Sequence, residues 1–528
     1  MIARAHSLAL RGLEGYCVAV EADVANGLPA YAVVGLPDAA VRESKERIVG
    51  ALRNSGFFLA PKRITVNLSP ARARKEGSHF DLAIAFALLG ATGQIQKGLA
   101  GARLCLLGEL ALDGTVVRIE STLSLALEAK RLGFTALAVP AANAEEAAAA
   151  GLPVYPVNSL REAVDLLGAS DEEKRRPYPG PGGDGVTGGE PEAGNAEDLS
   201  DIKGQAFAKR AMTVAAAGAH NILLIGPPGT GKSLLARRLP GLLPPLGTQE
   251  MIEITRVHAL SGRSGAARSG LVRERPFRAP HHSASAVALV GGGPWAKPGE
   301  VALAHHGVLF LDELAEFSRQ ALEALREPLE EGRITVARAR EAVEYPARFM
   351  LVAATNPCPC GFRGHPRREC LCTPLMLGRY AQRISGPLLD RIDILAEMNP
   401  IAFDEWSVEA REAAAPSSAS LRQAVLRARK LQEERFRGMD FTVNARIPPR
   451  ELRRFCRLDG DGLKLLEAAS RRWSVSARSL DRTLRLSRTI ADLGHSPDIR
   501  REHVAEALDF NRLERLWAEP AALAEPLG

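Results

Sequence analysis

No window of this 528-residue chain reaches the roughly 18 unbroken apolar residues that a membrane-spanning helix needs. The start, Met1 to Arg11, also lacks an apolar core followed by a small-residue cleavage site, so the sequence predicts a cytoplasmic protein with no membrane partner. Cysteine is scarce. Seven residues, unevenly spaced, are too few for a disulfide framework. A strong charge of one sign is missing too: 68 Lys+Arg against 62 Asp+Glu leave a net +6, which permits a nucleic-acid partner without arguing for one. What is present is 46% hydrophobic and 25% charged residues, the balance of an ordinary globular protein, and wholesale disorder is excluded. At roughly 150 residues per domain the length suggests three or four domains.

One break is plain. Residues 171–199 are rich in Gly, Pro and charge and poor in apolar anchors, which predicts a flexible linker after a first domain at 1–170. That first domain reads as mixed α/β, with strands near Ile64 to Leu68, Leu104 to Leu110 and Ala136 to Pro140 and helices near Asp81 to Leu89 and Leu123 to Leu132. Beyond the linker, apolar strands at Asn221 to Ile225, Val308 to Leu311 and Phe349 to Ala353 alternate with helices. This predicts a doubly wound, mostly parallel sheet over residues 200–403. From 404 to 528 the pattern is almost wholly helical, with amphipathic stretches at Leu421 to Phe436, Gly462 to Arg472, Ser476 to Leu493 and Arg501 to Leu516.

The chemistry concentrates after the first of those later strands. Gly226, Pro227, Pro228, Gly229, Thr230, Gly231, Lys232 and Ser233 follow Asn221 to Ile225 and open a helix, the strand, glycine-rich turn and helix that a phosphate loop requires. Lys232 should reach the β- and γ-phosphates of ATP, and the Ser233 hydroxyl should ligate Mg²⁺. Eighty residues after Lys232, the strand Val308 to Leu311 ends in Asp312, placed to hold Mg²⁺, and Glu313, the natural base for an attacking water. Asn356 ends a third strand, where a polar side chain can orient that water. Together these predict an ATPase. Arg391 is placed to reach a neighbouring subunit's γ-phosphate, and Arg478 to read the nucleotide from the other side; for a single arginine, a surface ion pair is the plain alternative.

Two close pairs, Cys358 with Cys360 and Cys370 with Cys372, suit a tetrahedral Zn²⁺ in a finger at about 357–373; a free-thiol loop or a redox-labile pair is the alternative. The finger would present Arg363, Arg367 and Arg368 to DNA phosphates. A second basic stretch, with Arg263, Arg268, Arg273, Arg275, Arg278, His281 and His282, suits DNA as well, or is a solvated charged loop. The adjacent histidines are not expected to form a metal site.

The motif order, with Phe277 to Ser283, Ala288 to Gly293, Gly307 to Leu314, Ala354 to Gly361, Arg391 in its Ser385 to Asp393 segment, and Ser476 to Ala491, resembles AAA+ ATPases of the magnesium-chelatase-like class, in particular the competence protein ComM (YifB) subfamily. The resemblance spans essentially the whole chain. It implies a homo-hexameric ring formed on single-stranded and branched DNA, branch migration in homologous recombination during natural transformation, and a recombinase machinery as partner. It also implies that Arg391 is the arginine finger and Arg478 a sensor, and that the C-terminal helices form a lid. The first domain is similar to the proteolytic domain of Lon, in the ribosomal-S5-like fold, along Leu107 to Ile119. Its Glu76 to Asp81 turn lacks the Lon pattern and no lysine follows at the expected place, so Ser78 is expected to be inactive. The other readings are a motor that remodels a protein partner in a chelatase-like system and an ATP-dependent, Lon-like protease.

Overall fold

The computed structural model describes residues 2–95, 103–168, 177–179, 198–261, 271–293, 296–337, 342–384, 386–400, 417–473 and 476–510. Most of the expected linker at 171–199, together with Arg263, Arg268 and Ser385, lies outside them. The chain divides into two compact units: Met1–Gly188 with Gly247–Arg273, and Gly189–Leu246 with Glu274–Gly528.

In the first unit, β1 (Ile2–Arg11) and β2 (Glu14–Ala25) form an antiparallel hairpin that the sequence reading did not anticipate. Ala5, Ala9, Val18, Val20 and Ala22 face one core, while Leu8, on the opposite face of the hairpin, joins a second core with Leu10 and Cys17, as the period-2 alternation of strand side chains dictates. After β3 (Ala30–Val34), α1 (Ala39–Asn54) starts where the Asp38 side chain accepts the Val41 N–H at 2.8 Å. It then buries Val41, Ile48, Ala51 and Leu52. β4 (Arg63–Ser69) runs antiparallel to β2 and parallel to β3, which gives the order β1-β2-β4-β3. α2 (Asp81–Ala91) is apolar all round and buried everywhere except at Gly90, so it is the core helix of this unit. A second, parallel sheet contains β5 (Leu104–Leu106), β6 (Ala136–Pro140) and β7 (Val154–Val157), with α3 (Thr122–Arg131) between the first two in sequence.

The segment returning to this unit carries the helix Thr248–Leu260. Ile252 and Leu271 close over Leu123. Arg256 donates to the Leu13 carbonyl at 2.7 Å and lies 3.4 Å from the buried Glu128 carboxylate.

The second unit is built on a five-stranded sheet that is parallel throughout. Its strands are β8 (Ile222–Ile225), β9 (Phe277–Arg278), β10 (Val308–Leu311), β11 (Met350–Thr355) and β12 (Ile394–Glu397), in the order β9-β10-β11-β8-β12. Every residue of β8, β10 and β11 is buried, the signature of a parallel sheet covered on both faces, and each large aliphatic side chain there contributes ~2 kcal/mol. α4 (Ala206–Gly218) precedes β8 and α5 (Lys232–Arg237) follows it. α6 (Pro374–Arg383) starts at Thr373, whose side chain caps it. Four later helices are α7 (Ser418–Arg435), α8 (Gly460–Trp473), α9 (Ala477–Leu493) and α10 (Arg501–Phe510). Val425 and Leu486 from this helical set join Val214 of α4 in the core that backs the sheet. Among the described residues no helix is long and apolar enough to cross a membrane.

Candidate nucleotide site

The carboxyl edge of a parallel sheet collects the loops that leave its strands, so side chains from distant sequence meet there. Leaving β8, the turn 226–231 ends in Gly231 at φ +88°, a left-handed conformation that an L side chain would strain. α5 begins at the next residue. Lys232 Nζ donates to the carbonyls of Gly226 at 2.6 Å and Pro227 at 2.9 Å, and to Asn356 Oδ1 at 3.2 Å. Burial lowers the Lys232 pKa, and the nearby Asp312 and Glu313 work against that shift. Thr230 Oγ1 closes the turn on the Pro227 carbonyl at 2.9 Å.

The Ser233 hydroxyl donates to Asp312 Oδ2 at 2.6 Å. A hydroxyl and a carboxylate in contact form a hard-oxygen donor set that fits Mg²⁺. Glu313, two residues past the end of β10, stands at φ +52°, a costly backbone for a non-glycine residue and a kind of strain that clusters at functional sites. Its carboxylate meets His282 Nδ1 at 2.9 Å. Asn356 is held by its own backbone, because Tyr380 of α6 donates to the Asn356 carbonyl at 3.2 Å and lies 3.1 Å from Thr355 Oγ1. Lys232, Ser233, Asp312, Glu313 and Asn356 thus converge at one edge.

The remaining predicted residues lie elsewhere. Arg391 is paired with Glu330 and donates to the Pro387 carbonyl, with its side chain 11% exposed. Arg478 stands 73% exposed at the start of α9, 3.9 Å from Asp390. Arg482, which the sequence reading does not single out, ties α9 to the segment on both sides of Arg391 through the carbonyls of Leu389 at 3.1 Å and Ile392 at 2.8 Å.

Of the arginines expected to face DNA, Arg275 donates to the carbonyls of Pro244, Pro245 and His306 and knits loops together. Arg278 pairs with Glu300 at 2.6 Å, and Arg273, in the first unit, with Glu145 at 3.2 Å. Arg367 and Arg368 are exposed and Arg363 is half-buried; the Arg368 guanidinium lies 5.0 Å from the centroid of the Phe362 ring. The pairs His282–Glu313 and Arg278–Glu300 carry no local sequence signal.

The four clustered cysteines are unbridged, and their sulfurs all lie within 4.8 Å of one another. Cys358 Sγ is 3.3 Å from Cys360 Sγ and 3.7 Å from Cys370 Sγ, and the Cys360–Cys370 sulfur separation is 3.6 Å. Zn–S bonds of about 2.3 Å in a tetrahedron set sulfurs about 3.8 Å apart, so the donor set fits Zn²⁺.

In the first unit, Ser78 Oγ donates to Glu109. The amine of nearby Lys75 donates to the carbonyls of Pro70 and Ala73, and Asp81 is buried against Arg47 at 2.8 Å.

Comparison with known proteins covers nearly all of the chain. Residues 198–406 match the family model described as magnesium chelatase, subunit ChlI; residues 20–143 match subunit ChlI of Mg-chelatase; residues 415–511 match magnesium chelatase, subunit ChlI C-terminal. The chain is similar to the uncharacterized protein YifB of Escherichia coli strain K12, 40% identical over 97% of each chain. It is similar to the competence protein ComM of Haemophilus influenzae, 40% identical over 98% of each. The chloroplastic magnesium-chelatase subunit ChlI of Chlamydomonas reinhardtii is 26% identical over 42% of this chain and 56% of its own.

Proposed function

We propose, from the premise that this chain belongs to the magnesium-chelatase-like AAA+ family in its YifB/ComM branch, that it is an ATP-driven motor acting on DNA. In our reading it assembles as a homo-hexameric ring on single-stranded and branched DNA. There it drives branch migration in homologous recombination during natural transformation, alongside a recombinase machinery. The observation that carries the motor is the convergence of Lys232, Ser233, Asp312, Glu313 and Asn356 at one sheet edge. Likeness over the full length to a protein named for competence supports the DNA part.

In this reading each residue takes the role its motif implies. Lys232 holds the β- and γ-phosphates of ATP, and Ser233 with Asp312 would hold Mg²⁺, which neutralises phosphate charge. Glu313 accepts the proton of the attacking water while Asn356 orients it. Arg391, supplied by a neighbouring subunit after leaving Glu330, and Arg478 stabilise charge that develops on the γ-phosphate. Arg363, Arg367 and Arg368 contact DNA phosphates on a finger that Zn²⁺ stiffens, and Arg273, Arg275 and Arg278 line the DNA path once their present partners are exchanged.

The C-terminal helices serve as the lid, and the first unit is a Lon-protease-like fold used for assembly or DNA contact. Its Ser78 is bonded to Glu109 and its nearby Lys75 to carbonyls, so these two residues do not form the serine–lysine pair of Lon-type proteolysis. The chelatase-type family matches favour a second reading, a motor that remodels a protein partner.

ATPase rate measured with and without single-stranded and forked DNA separates the two, with Glu313→Gln as the control. Strong stimulation that the control abolishes supports the DNA motor. A rate that no DNA alters transfers the reading to protein remodelling, and degradation of casein would restore a protease.

A further inference from the structure

The cysteine knuckle does not sit apart from the nucleotide site. Two residues separate Thr355, the last residue of β11, from Cys358, and one of them is Asn356, which touches Lys232. Cys358 is fully buried, and its carbonyl accepts the Gly361 N–H at 3.0 Å, closing a tight turn that carries two of the four thiols. Gly361, at φ +81°, lies so close to the phosphate loop that a Cβ there would stand 2.8 Å from Pro228 Cδ. The Arg363 N–H points at Cys358 Sγ from 3.3 Å, the kind of donor that orients a metal-bound thiolate.

Beside the thiols the knuckle has local contacts, with the Arg367 and Arg368 N–H groups donating to His365 Nδ1 at 3.1 Å and the Phe362 ring lying against His365 and Arg368, and a thin apolar core. Arg367, Arg368 and Glu369 are exposed, and Leu371, between two cysteines, is 83% exposed. A loop with so small an apolar core takes its order from metal–ligand bonds.

We infer that Cys358, Cys360, Cys370 and Cys372 bind one Zn²⁺ whose knuckle is a structural part of the nucleotide site, pressing Gly361 against Pro228 and fixing the Asn356 turn, so that zinc occupancy sets the affinity for nucleotide. The inference rests on the nucleotide reading above. The four cysteines are positioning residues that act through Pro228 and Asn356.

The test uses the full chain purified from zinc-supplemented medium without chelator. Metal is counted by mass spectrometry, and the Kd for a fluorescent ADP is titrated before stripping with a zinc chelator, after stripping, and after zinc is restored. The expected result is about one zinc per chain, affinity weakened roughly tenfold or more on stripping, and recovery on restoration. Cys370→Ser with Cys372→Ser should mimic the stripped protein. Gly361→Ala keeps all four thiols and guards against simple misfolding: it should retain zinc yet weaken ADP binding. Lys232→Ala should retain zinc and lose nucleotide.

A chain that carries no zinc overturns the metal site. A chain that carries zinc but binds ADP equally well without it overturns the coupling. Zinc-loaded protein that binds no nucleotide overturns the nucleotide reading, and the coupling with it, while the metal count stands.

Discussion

The buried polar groups of the first unit and the sheet-edge polar groups of the second are used in opposite ways. In the first unit those groups are consumed internally: Lys75 is caged by carbonyls, Asp81 is locked to Arg47, and Asn143 and Glu146 satisfy the backbone N–H groups of Ile119 and Leu123. In the second, Lys232, Ser233, Asp312, Glu313 and Asn356 are drawn from three strands to one edge, and Glu313 keeps more than half of its side chain in solvent. A satisfied buried network rigidifies a fold, whereas convergent groups at a sheet edge are available to a ligand. The second unit has a satisfied network of its own, with Arg435, Asn444 and Arg488 bonded to Asp492, so what sets it apart is the edge cluster, where the proposed chemistry belongs.

The largest effect should come from breaking the chemical side of that contrast. Glu313→Gln removes the proposed base while keeping its shape, so ATP turnover should fall about 10²- to 10⁴-fold with nucleotide binding retained. Ser78→Ala, in the first unit, should leave turnover where it was. A steady-state ATPase assay beside a nucleotide-binding titration decides both, and equal losses in the two variants would erase the division of labour.

A smaller effect tests the finger within the second unit. Arg367→Glu together with Arg368→Glu should weaken binding to all DNA sequences alike and reduce the salt slope of log K by about 2, one unit per phosphate contact. Fluorescence anisotropy at several salt concentrations reads this directly. An unchanged slope would make these arginines solvated surface.

How far the contrast could be read from sequence differs between the units. Three strands of the second unit, β8, β10 and β11, announce themselves as unbroken apolar runs, and the phosphate loop and Asp312-Glu313 follow them within a residue or two, so the edge cluster was legible, whereas the edge strand β12 was not read as a strand. The two-residue strand Phe277–Arg278 was not, because it exists only through pairing with β10. In the first unit the β1–β2 hairpin was missed: much of its inward face is alanine, such as Ala5, Ala9 and Ala22, which contrasts weakly with its polar neighbours. The run Leu104 to Leu110 reads as one strand but is two, because Gly108 turns the chain toward His79 and a Cβ there would meet Val116 at 2.8 Å. Nothing local marks the return of Gly247–Arg273 to the first unit, since Arg256 finds its partners, Leu13 and Glu128, more than 120 residues away.

The finest test asks whether the first unit's ionic groups are purely structural. Burial pushes the Asp81 carboxyl up to about 6, against the opposing pull of Arg47, so between the ordinary carboxylate range and pH 6 the folded unit holds a proton that the unfolded chain has released. The sign follows: this group's contribution to stability is fully present below pH ~4 and is lost as pH rises through about 6, with a slope of at most ~1.4 kcal/mol per pH unit. Asp81→Asn removes the titration but keeps the shape. Hydrogen exchange of the α2 amides, compared between the two proteins from pH 4.5 to 7, cancels the intrinsic pH dependence of exchange. The protection of the parent should decline relative to the variant as pH rises across that window, while ATP turnover by the two proteins stays equal. Parallel protection curves would mean that the Arg47 pair, rather than burial, governs Asp81, and a change in turnover would mean that the first unit reaches the chemistry after all.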